Sequence, residues 1–406
     1  MSFPQPIRIL YVAPYVGIDS ISEPRQAYDL IASVRSHVTG VILKRQDRHT
    51  RDLEAALPNF QVVEIKAERP RAFPQRLASV ALPEYFIFER KAKGVIKRLM
   101  SEQPFDLVHQ VTPMSIRYPS PARHFTVPYI IGPVNGSLKT PVALRVEMAK
   151  EPSYMNLRGL DEFRLRYSPA LRRSFSRARL VIGGTSYIGE TLKAVTRGRF
   201  TVLSEHGIER PDVLQGVARS FRHDTLNILF VGRLVRTKGA RELVRAISLV
   251  QPHVKLVCRI VGSGPDFDDT CAEIEQLRLG DRVRMLGRLG PDQVREQYRS
   301  ADVFIFPSFR EASGGVLIEA MSSGLPIVTV DYGGPAELVD RGSAILVRPQ
   351  ESWGMAKEIA QAISALHDDR SQLERMSRSS LEHIRRNYLW SSKSMRLLDI
   401  YRTALS

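Results

Sequence analysis

Glu311 and Glu319 flank a pair of glycines in VFIFPSFREASGGVLIE, the stretch from Val303 to Glu319. Val303 to Phe306 is apolar and reads as a buried strand, Pro307 and Ser308 turn the chain, and the segment from Gly315 reads as a helix. Gly314 and Gly315 let a ligand come close to the backbone. A helix opening at Gly315 and Val316 points unpaired amide N–H groups above the strand end, which suits an anion such as a diphosphate. Carboxylates are acceptors and suit sugar hydroxyls. Phosphate donors between two hydroxyl-binding carboxylates are what a nucleotide-sugar site needs. The plainer alternative is a strand–loop–helix unit with two solvated glutamates.

Arg233 and Lys238 lie in ILFVGRLVRTKGARELV. A buried strand ends at Gly232, and both cations project from the loop before the next helical pattern. An arginine fork and a lysine point charge above a strand end suit a phosphate; a solvated basic loop is the alternative. His109, in FDLVHQVTPMSIRYP, stands at the end of a short apolar strand. There it could orient a sugar or polarise an acceptor hydroxyl, or it could be a structural histidine with its hydrogen bonds satisfied. Asp266-Phe267-Asp268 matches a metal-binding D-x-D pattern, but it opens a helix after Gly262-Ser263-Gly264-Pro265, where acidic residues complement the helix N-terminus. No pair among the nine histidines has metal-ligand spacing with carboxylate or cysteine, so neither a metal nor a cofactor is expected.

These residues need strand ends to stand on. From Asn227 onward, strands read at Ile228–Val231, Leu256–Val261, Val283–Leu286, Val303–Phe306, Ile327–Val330 and Ala344–Val347, with helical patterns near 239–251, 266–279, 291–300 and 315–323. Such alternation predicts βαβ units and a parallel sheet. The first half repeats the grammar at Ile7–Val12, Val41–Leu43, Leu107–Val108, Tyr129–Ile131 and Leu180–Ile182. The expected architecture is α/β: two doubly wound Rossmann-like domains facing a central cleft. The expected boundaries are an acceptor-side domain over 1–205, a donor-binding domain over 206–385, and a C-terminal helix over 386–406 that is expected to return to the first domain. The link falls in 203–225, where Gly207, Pro211 and Gly216 interrupt the periodicity.

FVGRLVRTKG, IVGSGPDFDD, FPSFREASGGVLIEAMSSGLPIV and DYGGPAELV together resemble the retaining glycosyltransferases of family 4, which have the GT-B fold. The resemblance covers residues 225–350, with Glu311-x7-Glu319 and GRL-x-x-KG as its specific motifs; the first half resembles the family loosely. It implies that Glu311 binds donor-sugar hydroxyls, Glu319 binds the ribose, and Arg233 and Lys238 neutralise the departing diphosphate. It further implies that amides around Gly314, Gly315 and Val316 bind the sugar and distal phosphate, and that backbone near Arg288 meets the base. Relatives often carry a histidine near His109, and many have paired glycines after the first strand; here Gly17 either takes that role or is an ordinary loop glycine. The turn Ile131-Gly132-Pro133-Val134-Asn135-Gly136-Ser137 is expected on the acceptor side. Retention, by a front-face route, comes from the resemblance alone.

The net charge of +16 is unevenly spread: residues 1–200 carry +14 and residues 201–406 carry +2. The basic half is expected to meet an anion, most simply anionic membrane or a lipid-linked acceptor. Residues 86–98 and 158–179 mix aromatics and leucines with Lys93, Lys97, Arg98, Arg158, Arg164, Arg166, Arg172, Arg173, Arg177 and Arg179, as an interfacial surface would. Two solvated helices on a core are the alternative. Cys258 and Cys271 are the two cysteines, and no apolar run is long enough to span a bilayer, so the expected location is cytoplasmic, at the inner face of the membrane. The expected function is transfer of a sugar from a nucleotide-diphosphate donor to a glycan or lipid-linked acceptor in bacterial surface-polysaccharide assembly. The alternatives are a small soluble acceptor or, in another class, a basic nucleic-acid-binding protein. No aromatic RNA-binding signature or helix-turn-helix cue is present, so nucleic acid is not an expected partner.

Overall fold

A computed structural model describes residues 6–47, 50–68, 82–148, 160–209, 221 and 223–406. Arg158, Pro211 and Gly216, named above, lie outside them. The chain divides into two units, one of Met1–Ser137, Ser153–Gly207 and Trp390–Ser406, the other of Leu138–Pro152 and Ile208–Leu389.

In the first unit, β1 (Ile7–Val12), β2 (Val38–Arg45), β3 (Phe60–Ile65), β4 (Leu107–Gln110), β5 (Tyr129–Val134), β6 (Leu180–Gly183) and β7 (Phe200–Val202) form one parallel sheet in the order β3-β2-β1-β4-β5-β6-β7. Both faces are covered. Ile7, Ile9 and Tyr11 enter one core and Leu10 and Val12 the other, so the strand reads as a continuous apolar run. The last helix, Trp390–Leu405, belongs to this unit, packing Leu397, Leu398, Tyr401 and Ala404 against Ile9, Tyr11 and Ile130. Each large side chain so buried is worth roughly 1.5–3 kcal/mol.

In the second unit, β8 (Leu226–Val231), β9 (Leu256–Val261), β10 (Val283–Gly287), β11 (Val303–Phe306), β12 (Ile327–Val330) and β13 (Ala344–Val347) are also all parallel, in the order β10-β9-β8-β11-β12-β13. The sequence assigned all of residues 1–205 to one domain. The structure instead gives Leu138–Met148 to the second unit, through buried Leu144 in its core and Glu147 bonded to Arg236. One apolar anchor in a loop of short 3₁₀ turns leaves no periodic signal of where that loop docks.

The sheet order reverses between β8 and β11, so their following loops leave one edge side by side. Ser308 Oγ and Phe309 N both donate to Thr237 O, at 3.0 and 3.1 Å. Gly239 has φ +79°, and a Cβ there would stand 2.2 Å from Pro307 O. Gly239→Ala is therefore expected to cost about 2 kcal/mol or more through left-handed strain and this clash. Melting of the second unit should fall by roughly 4–8 °C. A melting curve that does not move would show that the two loops are not held this close.

Candidate functional site

The loop after β8 is pinned before it offers its cations. Leu234 is fully buried, and its N–H donates to Ser263 O at 2.9 Å. Arg233, beside it, is exposed and makes no ion pair among the described residues. A 3₁₀ turn, Arg236–Lys238, follows. Arg236 is buried and splits its guanidinium between Glu242 (2.7 Å) and Glu147 (3.0 Å). Burial alone would lower its pKa, but the two carboxylates outweigh that and hold it raised. With Arg236 fixed, Lys238 points outward to Glu311, and its ammonium donates to Glu311 Oε2. The same ammonium lies 5.4 Å from the Phe306 ring centroid.

The loop after β11 holds Glu311 from its own backbone. Ser313 N donates to Glu311 Oε1 at 3.3 Å, and Gly334 N to Glu311 O at 2.9 Å. Gly314 has φ +84° and leads into the helix Gly315–Ser322, whose N-terminus carries no side-chain cap. The amides of Gly315 and Val316 therefore open on the edge that carries Lys238 and Glu311. Glu319, one turn on, is exposed and accepts a 3.0 Å hydrogen bond from Tyr298 Oη. Arg288 is exposed just past β10, on the same sheet edge but two strands from β8. Arg233, Lys238, Glu311, Gly314, Gly315, Val316 and Glu319 thus stand around two neighbouring strand ends.

Sequence reasoning did not find Arg236, Glu147 or Tyr298. Arg236 had a signal, since it lies in the same basic loop, but a buried arginine and an exposed one look alike in sequence. Tyr298 falls within the helical pattern near 291–300, and nothing in the sequence marks it out. Among the described residues no group of three His, Cys, Asp or Glu could hold a metal. Asp266, of the D-x-D pattern, is buried ahead of the helix Phe267–Gln276. Burial pushes its carboxyl up to about 6 against the pull of Arg236 and Arg241.

His109 and Gly17 belong to the first unit. Gly17 is buried in the loop after β1, and its N–H donates to Pro24 O at 3.1 Å. His109 lies in β4 one residue before its end, but it is fully buried and both ring nitrogens are taken, which contradicts a catalytic role. Nε2 is 2.7 Å from Gly132 O, and Nδ1 is 3.0 Å from Tyr401 Oη. A carbonyl only accepts, so Nε2 carries the proton and Nδ1 accepts from Tyr401. Tyr401 then accepts from Tyr11 Oη, 3.0 Å away. Burial, opposed by the Gly132 bond, holds the imidazole down at about 4. His109 is a neutral tie between β4, β5 and the C-terminal helix; no nitrogen is open to a sugar hydroxyl.

Residues 218–383 match the family described as glycosyl transferases group 1. The chain is similar to D-inositol 3-phosphate glycosyltransferase from Corynebacterium kroppenstedtii, with 32% identity over 192 residues, 44% of this chain and 40% of that protein. It is also similar to the phosphatidylinositol N-acetylglucosaminyltransferase gpi3 subunit of Schizosaccharomyces pombe, with 30% identity over 179 residues, 44% of this chain and 38% of that protein. The chain thus spans well under half the length of these curated relatives. Among solved structures it is similar to a glycosyltransferase from Rickettsia africae, with TM-score 0.68, 15% identity and 100% of both chains covered. It is similar, too, to Anabaena HepE in complex with UDP and glucose, with TM-score 0.62, 17% identity, and 97% of this chain and 98% of that chain covered. The two parallel sheets are those of the GT-B fold.

The buried imidazole sets a pH dependence. The unfolded chain protonates His109 near 6.5, whereas the folded chain resists protonation down to about 4. Its contribution is complete above pH 6.5 and is lost as pH falls from 6.5 to 4, by roughly 3 kcal/mol in total. His109→Gln, which can still donate to Gly132 O, should unfold in urea with a midpoint that changes less across this window than the wild type does. Parallel pH profiles of the two proteins would refute the neutral tie.

Proposed function

We propose that the protein transfers a glycosyl group from a nucleoside-diphosphate sugar to a hydroxyl acceptor. The observation that carries this reading is the meeting of Lys238 with Glu311 at the β8 and β11 strand ends, beside the uncapped amides of Gly315 and Val316. Arg233, Lys238 and those amides would bind the diphosphate; Glu311 would bind sugar hydroxyls, Glu319 the ribose, and backbone near Arg288 the base. As the anomeric C–O bond breaks, negative charge builds on the leaving phosphate oxygen. Cations already in place stabilise that charge, typically the largest single catalytic contribution. The acceptor oxygen bonds to the anomeric carbon on the face the diphosphate leaves, and its proton passes to the departing phosphate. The configuration is retained, and Arg233 with Lys238 supplies the charge a metal would otherwise bring.

Two substitutions separate the roles. Glu319→Ala should weaken binding of the free nucleoside diphosphate by about tenfold. Glu311→Ala should leave that affinity within about threefold but depress turnover at least a hundredfold, because its partner is the transferred sugar. Calorimetry with UDP, GDP and ADP, paired with turnover of the matching sugar nucleotides in EDTA, reads both. Equal effects of the two variants on nucleotide affinity would sink the role assignment, and activity lost in chelator and restored by manganese would sink the metal-free reading.

The acceptor is proposed to be a lipid-linked glycan at the inner face of a cytoplasmic membrane, in surface-polysaccharide assembly. Phosphate appears in the names of both curated relatives' substrates, D-inositol 3-phosphate and phosphatidylinositol. No helix among the described residues is long and apolar enough to cross a membrane. The helices Asp161–Tyr167 and Pro169–Arg177 bury Leu165, Leu171 and Phe175 but leave Phe163 and Tyr167 about three-fifths exposed, their ring centroids 4.5 Å apart. Exposed Arg166, Arg172 and Arg173 flank the pair. Sedimentation with anionic vesicles should be strong at low salt, absent with neutral vesicles, and reduced when Arg166, Arg172 and Arg173 become Gln. Binding indifferent to these arginines would favour a small soluble acceptor.

A further inference from the structure

Tyr298 lies in the last turn of the helix Pro291–Ser300 and is 3% exposed. Its ring packs against Phe304 of β11, with centroids 5.7 Å apart. Its hydroxyl reaches Glu319 Oε2 at 3.0 Å, although Glu319 itself is exposed. Burial first, and the neighbouring carboxylate second, push the phenol well above its usual range, so it stays protonated and is always the donor. An exposed glutamate on a helix surface samples several rotamers. A donor locked by the core selects one of them.

We propose that Tyr298 is a positioning residue that fixes the Glu319 carboxylate for the ribose hydroxyls and thereby sets the preference for ribonucleotides over 2′-deoxyribonucleotides. The proposal rests on Glu319 being the ribose-binding residue of the site described above. Tyr298 does not touch the ligand. It acts through Glu319, by presenting the carboxylate in one orientation before the nucleotide arrives, so that less motion is lost on binding. A site built around such an acceptor discriminates strongly against a ligand that lacks the matching hydroxyl. A merely structural tyrosine would fill the space beside Phe304 and use Glu319 only to satisfy its own hydroxyl.

The test uses Tyr298→Phe, which keeps the ring and removes one oxygen, in the full chain. Calorimetry compares UDP, GDP and ADP with their 2′-deoxy counterparts for the wild type, Tyr298→Phe, Glu319→Ala and the double variant. The wild type should prefer the ribonucleotide by about tenfold or more. Tyr298→Phe should cut that preference to about threefold or less while leaving 2′-deoxynucleotide affinity nearly unchanged, and it should add nothing to Glu319→Ala in the double variant. Melting curves establish that the variants are folded. If Tyr298→Phe lowers stability and keeps the full preference while Glu319→Ala abolishes it, the proposal is overturned and the ribose reading of Glu319 stands. If Glu319→Ala keeps the preference, the ribose reading fails, and the proposal fails with it. If Tyr298→Phe weakens ribo- and deoxyribonucleotides equally, the tyrosine is structural and the proposal is overturned.

Discussion

The parallel pairing of β8 with β11 is the constraint on which the candidate site depends. Lys238 and Glu311 are 73 residues apart in sequence, yet they bond because their strands are neighbours running the same way. Only a parallel pair sends both following loops off the same edge. At this point the chain has turned outward in both directions, to β9 and β10 on one side and to β12 and β13 on the other. The loops therefore diverge above the sheet and leave room between their helices, the usual place for a ligand in doubly wound sheets. Gly239, pressed on Pro307, closes the lower part of that space and hands the upper part to side chains and amides.

Beneath the loops lies a layer of charge that the site does not itself use. Arg236 joins Glu242 and Glu147; Arg245 joins Glu273 and Ser352; Arg241 joins Glu273 at 2.6 Å. Removing such groups from water is costly, and their mutual attraction roughly offsets that cost only when every lone pair and proton is matched. The layer is therefore weak evidence for stability. It binds the helices Ala240–Leu249, Phe267–Gln276 and Ser352–Asp368 to one another and to the Leu138–Met148 segment. The direction of Lys238 follows, since it is two residues from an arginine that is held on both sides.

The second sheet was legible in sequence because strands covered on both faces appear as short apolar runs, and all six stand where those runs predicted them. In the first sheet β3 and β7 were not foreseen. The sequence of β3, FQVVEI, interrupts its apolar residues with Gln61 and Glu64, and β7 is three residues long and only partly buried. The grouping of segments was harder to read than the elements. Leu138–Met148 joins the second unit through a few contacts distant in sequence, which no local pattern encodes. Of the candidate site, Arg233, Lys238, Glu311 and Glu319 were legible from type and spacing, because motif loops concentrate polar groups at fixed offsets from a strand. Their support was not, because Tyr298 and Arg236 matter by burial.

His109 shows why residue type at a strand end does not settle use. It stands one residue before the end of β4, near the kind of strand end that carries the motif loops beyond β8 and β11, yet its neighbours close over it. Tyr11 and Tyr401 form a directed chain of hydrogen bonds into Nδ1, and Gly132 O takes the remaining proton. Nearby polar groups on the same edge are only partly spent internally: Gln110 donates to Tyr85, Thr112 bonds Tyr15 and Asn135 donates to Glu205, while Gln110 Oε1, Asn135 Oδ1 and Glu205 Oε2 stay buried without a hydrogen-bond partner. The tyrosine from the C-terminal helix is decisive, since it comes from the far end of the chain and occupies the nitrogen a ligand would need. On the second sheet the corresponding edge keeps Arg233, Arg288 and Glu319 exposed and an uncapped helix start open. The two edges carry similar chemistry, and what separates the structural tie from the candidate binding groups is exposure: His109 is fully buried, whereas Arg233, Arg288 and Glu319 stand at the surface.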